Sequence, residues 1–228
     1  MPQAAARAVE LGTAFDRGQT AMIACYLHTF LRDMEALARS AEAAAVVGDE
    51  YGFPMVRAVA TVGRGRVLVA RGEYDAGIAA MRQGIDAYRV GRHAVALPAL
   101  LTLLAEAHGE AGCLEDALVL LAQARALVES TGELRFEAEI QRLEGEVRRR
   151  RGEPQAAERC FRRAIEVARK QGARWWELRA HMSLARWRQQ RGQRAAARRA
   201  LAPVVGAFTE GLDTTDVREA QALLAELS

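Results

Sequence analysis

The stretch Leu104-Ala105-Glu106-Ala107-His108-Gly109-Glu110-Ala111-Gly112-Cys113-Leu114-Glu115-Asp116-Ala117-Leu118 places one turn between two helix-compatible runs. Leu, Ala and Glu favour helix, and Gly112 supplies the residue that tolerates a left-handed cap. The same turn returns as Gly72-Glu73, Gly152-Glu153 and Gly192-Gln193, and Arg32-Asp33 stands in the same register. Each step is 40 residues, and four equal intervals in a chain of 228 mark one supersecondary unit copied and stacked.

Side-chain size repeats with the turn. Seven residues before it stand Cys25, Gly65, Ala105, Gly145 and Ala185. Five after it come Gly77, Ala117, Ala157 and Ala197; nine after it Met81, Leu121, Phe161 and Leu201; twelve after it Gly84, Ala124, Ala164 and Val204. Small residues at facing positions let antiparallel helices approach, and the large residue between them fills the gap. The helices expected on this basis are Thr20–Leu31 and Asp33–Val47, Pro54–Arg71 and Tyr74–Val90, Ala94–Ala111 and Leu114–Ser130. Leu134–Arg151 and Pro154–Gln171 follow, then Arg174–Arg191 and Arg194–Phe208. Gln3–Arg17 reads as one more helix before them, and Asp216–Leu227 as a terminal one capped by Thr214 or Thr215. Gly52, Gly91, Gly132, Gly172 and Gly211 mark the links between units.

Composition agrees with helix and excludes several classes. Hydrophobic residues are 50% of the chain, and no alternating Val/Ile/Thr/Tyr run reads as a strand. The longest apolar stretch, Ala94–Ala105, contains Pro98 and is far short of the roughly 20 residues a membrane span needs. The first residues lack the apolar core of a signal peptide, so a cytoplasmic protein is expected. Cys25, Cys113 and Cys160 fit no ligand spacing and are expected to be buried free thiols. The net charge of +3 hides an asymmetry: residues 141–200 hold 18 Lys+Arg against 6 Asp+Glu. Lys170 is the only lysine.

The pattern Leu104-Ala105, Gly112, Leu114, Ala117-Leu118, Leu121 and Ala124 resembles the tetratricopeptide repeat, whose usual unit is 34 residues. A narrower resemblance lies in Tyr51-Gly52-Phe53-Pro54, Arg82-Gln83-Gly84-Ile85, Lys170-Gln171-Gly172-Ala173, Trp176-Glu177-Leu178-Arg179-Ala180, and Phe208-Thr209-Glu210-Gly211-Leu212-Asp213-Thr214 followed by Glu219-Ala220. Together these are similar to the C-terminal helical-repeat region of large bacterial signalling proteins. There such a solenoid follows an AAA-type or STAND-type ATPase module, often with a nucleotide cyclase. No functional residue carries over from those parts.

The sequence carries no constellation for chemistry. No P-loop is present, and Gly63-Arg64-Gly65 lies inside a helix with no strand before it. His28, His93, His108 and His181 form no HExxH and no i, i+4 pair, so no metal, cofactor or catalytic residue is expected. Trp175, Trp176 and Trp187 read as core rather than as an anchor for a partner. Arg148–Arg151 point around most of a helix and cannot all face one ligand.

The expected fold is an all-α, right-handed alpha solenoid filling residues 1–228. It has about five helix-turn-helix repeats, near 18–52, 53–92, 93–132, 133–172 and 173–212, with a C-terminal capping helix in 213–228. The tetratricopeptide resemblance implies a concave groove lined by first-helix residues 13, 10, 6 and 3 before each turn. Those are Val59, Val62, Arg66 and Val69; Ala99, Thr102, Glu106 and Gly109; Glu139, Arg142, Glu146 and Arg149; Arg179, Met182, Arg186 and Gln189. The implied function is non-catalytic binding of a protein or peptide with an apolar end and an acidic end. Two alternatives stay open: a nucleic-acid binder using the Arg-rich 141–200 half, and a small-molecule sensor.

Overall fold

The computed structural model describes residues 12–91 and 95–228, and every described element is helical. Contacts divide the chain into two units, Met1–Ala111 and Gly112–Ser228. The first holds α1 (Ala14–Phe30), α2 (Met34–Glu50), α3 (Pro54–Ala70), α4 (Tyr74–Val90) and α5 (Leu97–Glu110). The second holds α6 (Leu114–Thr131), a 3-10 turn (Leu134–Phe136), α7 (Glu137–Arg150), α8 (Pro154–Lys170), α9 (Arg174–Gln190), α10 (Arg194–Gly206) and α11 (Thr215–Glu226). The architecture is the expected all-α repeat of helix pairs.

The turns close by one mechanism. At Gly72 the chain is left-handed (φ 84°), and Glu73 N–H donates to Leu68 O at 3.0 Å while Gly72 N–H donates to Val69 O at 2.9 Å. This pair of bonds satisfies carbonyls that the helix end leaves without partners. Arg32 adopts the same conformation (φ 56°), with Asp33 N–H donating to His28 O at 3.1 Å. It is the only non-glycine residue with positive φ among those described. Asp33 then caps α2 by accepting from Ala36 N–H at 2.9 Å.

The size code is the packing. A Cβ on Gly65 in α3 would lie 2.6 Å from Gly77 O and 2.9 Å from Met81 N on α4, so only glycine permits this approach. In the second unit Phe161 of α8 is fully buried, and a Cβ on Gly145 of α7 would meet its ring at 2.5 Å. The chain's end is sealed by α11, whose Val217, Ala220 and Leu223 join Leu178, Met182, Ala185, Ala197 and Leu201 in one core. The tryptophans are structural. Trp175 packs edge-on against Phe208 at 5.7 Å, Trp176 tilts on Phe136 at 5.7 Å, and Trp187 is buried beside Phe161.

Four expectations need correction. First, Ala14–Arg17 belong to the same helix as residues 20–30 rather than to a preceding one. Gly18 does not break α1, because its missing side chain admits Phe53, whose Cδ2 would be 2.9 Å from a Cβ there. Of the rest of the expected first helix, Gly12 and Thr13 are not helical, Thr13 being the N-cap of α1, and residues 3–11 lie outside the described residues, as does His93. Second, Gly91 caps α4 with φ −68°, not in the left-handed form of the other links, and α5 begins only at Leu97. Third, Leu134–Phe136 is a 3-10 turn leading into α7, and α10 stops at Gly206 with Pro203 inside it. Fourth, only Cys25 is a buried thiol, its pKa pushed up to about 12 by burial. Cys160 is half-buried, and Cys113 is exposed at the N-cap of α6.

Candidate partner-binding face

The residues expected to line a groove are bound to one another more than they are open. In the first unit Val59, Val62, Val69, Ala99 and Thr102 are all buried. Val62 packs against α4, where a Cβ on Gly84 would touch its Cγ2 at 2.7 Å. Thr102 turns its hydroxyl inward, donating to Pro98 O at 2.6 Å. Arg66 reaches from α3 to α5 and donates twice to Glu110, at 3.0 and 2.8 Å, with Glu106 at 3.7 Å. Burial works against its charge, but Glu106 and Glu110 outweigh it and hold the guanidinium pKa above its ordinary value. Glu106 stays partly exposed.

The second unit carries a longer network. Glu139 of α7 is buried and accepts two bonds from Arg142 at 2.7 Å each, and one from Arg179 of α9 at 3.5 Å. Arg142 also donates to Ser183 Oγ at 3.3 Å. Arg179 continues to α11, donating to Asp216 at 2.7 Å, where Trp175 Nε1–H donates as well at 2.7 Å. Its guanidinium lies over the Trp176 ring, 5.1 Å from the centroid. Burial would raise the Glu139 pKa, but Arg142 and Arg179 prevail and depress it. Further out, Arg149 pairs with Glu146 at 3.0 Å, Arg186 with Glu219 at 3.0 Å, and Gln189 reaches Glu226 at 3.5 Å.

Among the expected groove positions, Val62, Thr102 and Met182 therefore offer a partner almost no surface. Met182 belongs to the α9–α10–α11 core, because its position faces the neighbouring helices. Arg66, Arg142 and Arg179 are held in internal ion pairs. Glu106, Glu146, Arg149, Arg186 and Gln189 keep exposed surface, the arginines among them already facing a carboxylate. Part of the Arg-rich half is paired from within, since Arg148, Arg151, Arg162, Arg163 and Arg169 also have carboxylate partners, while Arg159, Arg174, Arg191, Arg194, Arg198 and Arg199 stand exposed.

An apolar cavity of about 210 Å³ lies elsewhere, in the first unit. Phe15, Gly18, Gln19 and Met22 of α1 form one wall, and Phe53, Pro54, Met55 and Val56 the other. Phe15 is 65% exposed at its mouth. Gln19 and Met22 stand 13 and 10 residues before Arg32, the spacing at which the later repeats carry the positions expected to line a groove. The sequence signal for them is the turn at Arg32, carried back one repeat.

Comparison with known proteins agrees with this architecture. Residues 96–170 match the tetratricopeptide repeat family model. A crystal structure of nearly identical tetratricopeptide-like repeats from a putative kinesin light chain of Podosopora anserina superposes with a TM-score of 0.51 and 18% identity, over 90% of this chain and 93% of that one. A single-residue variant of the same protein gives 0.49 at 18% identity, over 92% and 95%. The TPR2AB domain of yeast Sti1, solved in complex with pHSP90, gives only 0.36 at 13% identity, over 92% and 98%, and adds no weight. No curated protein matches the chain. The fold is of tetratricopeptide type, with helices long enough to give a 40-residue unit. No helix among the described residues is long and apolar enough to cross a membrane.

Proposed function

We propose that this chain is a non-catalytic interaction module that seats an apolar side chain of a protein or peptide partner in the α1–α3 cavity. The observation that carries this reading is the contrast between two surfaces. The cavity wall is apolar, open and includes Gln19 and Met22, whereas Arg142, Arg149 and Arg186 already face carboxylates. An apolar anchor entering a preformed pocket gains from desolvation without breaking existing ion pairs. The partner's acidic end, where it has one, is then secondary. The setting we propose is the regulatory or sensor repeat region of a bacterial ATPase- or cyclase-type signalling protein, supported by the segments around Tyr51, Lys170 and Phe208–Thr214.

The test compares capture of partners by three forms: the natural chain, Met22→Glu, and a charge reversal at Arg142, Arg149 and Arg186. The partner should stay with the charge-reversed form and be lost from Met22→Glu, with both forms folded by circular dichroism. Retention by Met22→Glu together with loss on charge reversal would move the site to the second unit.

A further inference from the structure

The repeat register exposes an incomplete interface on α1, on a surface separate from the cavity. One repeat apart, Ile23 corresponds to Gly63, Leu103, Leu143 and Ser183, and Leu27 to Val67, Ala107, Val147 and Trp187. All of these counterparts are buried except Leu103, which is half-buried. Ile23 is 52% exposed and Leu27 36%. The position of Gly63 shows what belongs there. A Cβ on it would meet Ala41 Cβ at 3.2 Å and Leu37 Cδ1 at 3.3 Å, both on α2, the second helix of the preceding repeat.

The equivalence extends to charge. Arg57, one repeat after Arg17, pairs with Asp49 near the end of α2 at 3.5 Å. Its stem lies where Gly48 has no side chain: a Cβ there would be 2.6 Å from Arg57 Cγ. Among the described residues, Arg17 meets no such carboxylate. It donates from Nη1 to Tyr51 Oη at 2.8 Å, and its Nε is buried without a partner among those same residues. Thus α1 offers the apolar pair and the arginine that α3 uses to receive α2.

We propose that this face docks an amphipathic helix of another protein built on the α2 pattern. That pattern is a large aliphatic residue and a small one four apart, as Leu37 and Ala41, then a glycine or alanine with a following carboxylate, as Gly48 and Asp49. The docking would continue the interhelix interface already present at α2–α3. A second copy of the chain cannot supply its own α2, because Leu37 and Ala41 are fully buried within it. The chain's own first residues carry Ala8 and Val9 one repeat before Gly48 and Asp49, so their carboxylate falls one place later, at Glu10, than the pattern needs.

The probe is a fluorescently labelled peptide of residues 33–51, titrated with the full chain and followed by anisotropy. Saturable binding is expected, weakened at least tenfold by Ile23→Glu with Leu27→Glu. A peptide carrying Asp49→Arg should bind weakly to the natural chain and regain affinity for the Arg17→Glu chain. Absence of saturation, or equal affinity for the Ile23→Glu/Leu27→Glu form, overturns the proposal, the latter by placing the peptide elsewhere. Binding seen only after deletion of residues 2–11 overturns it in favour of the chain's own N-terminal segment. A dimer in light scattering that the double variant dissolves overturns it in favour of a second copy.

Discussion

Glu139 shows what single residues do here. It is 4% exposed, and its charge is retained only because Arg142 and Arg179 face it. Removing one member of a buried ion cluster leaves the others charged and desolvated, at about 3–5 kcal/mol. Glu139→Ala should therefore lose stability on that scale in urea unfolding, while Glu35→Ala, on an exposed pair with Arg39, should lose less than about 1 kcal/mol. Equal, small losses would mean that the two arginines recover water when Glu139 goes, and that the network is not buried in solution. The network is hard to read in the sequence, because the tetratricopeptide register points these positions outward into a groove. A signal is nevertheless present: Glu139 and Arg179 are 40 residues apart, and Trp175 and Asp216 are 41 apart. Opposite or complementary groups one repeat apart lie on neighbouring first helices, so they meet each other before they meet a partner.

At the scale of elements, glycine has two separable uses, and substitution distinguishes them. Gly65 lies where α3 meets α4 at backbone distance, so Gly65→Ala must push the helices apart and should lose about 1–3 kcal/mol. Gly206 ends α10, and an added methyl there would have nothing within 4 Å, so Gly206→Ala should gain about 0.5–1 kcal/mol through the unfolded chain. Thermal unfolding of the two variants should shift in opposite directions; a shared direction would mean that helix propensity, not close approach, sets the α3–α4 contact. The turns and the small–large–small code are legible because they recur at fixed spacing. The start of α1 is not, since Gly18 reads locally as a breaker and only its contact with Phe53, far along the chain, explains it. The cavity is legible in part: Arg32 defines a first repeat as well as any glycine, and its backbone takes the left-handed form despite carrying a side chain.

For the molecule as a whole, arginine divides between paired positions such as Arg148 and Arg162 and exposed ones such as Arg159, Arg198 and Arg199, and the acid side of the stability profile follows from how the buried charges are held. His181 on α9 is 5% exposed, and its pKa is lowered to about 4, first by burial and then by Arg169 and Arg188, with Glu177 opposing. Its Nε2 lies 3.2 Å from Arg169 Nη2, and acts as acceptor there only while the ring is neutral. The unfolded chain takes up this proton near pH 6.5 and the native chain only near 4, so acid favours unfolding between those values. The group's contribution is complete above pH 6.5 and about 3 kcal/mol smaller by pH 4. Glu139 acts next and in the same direction: its depressed pKa stabilises the fold above the ordinary carboxylate range and that contribution is lost as pH falls below it. Melting temperature should therefore decline in two stages on acidification, the first between pH 6.5 and 4. His181→Leu should shrink the first stage, leaving the part that His28, whose pKa burial also lowers, contributes, and should leave the second. If the natural chain and His181→Leu decline in parallel from about pH 7 to 4.5, then His181 titrates as an exposed imidazole does and the packing around α9 is looser than its burial implies.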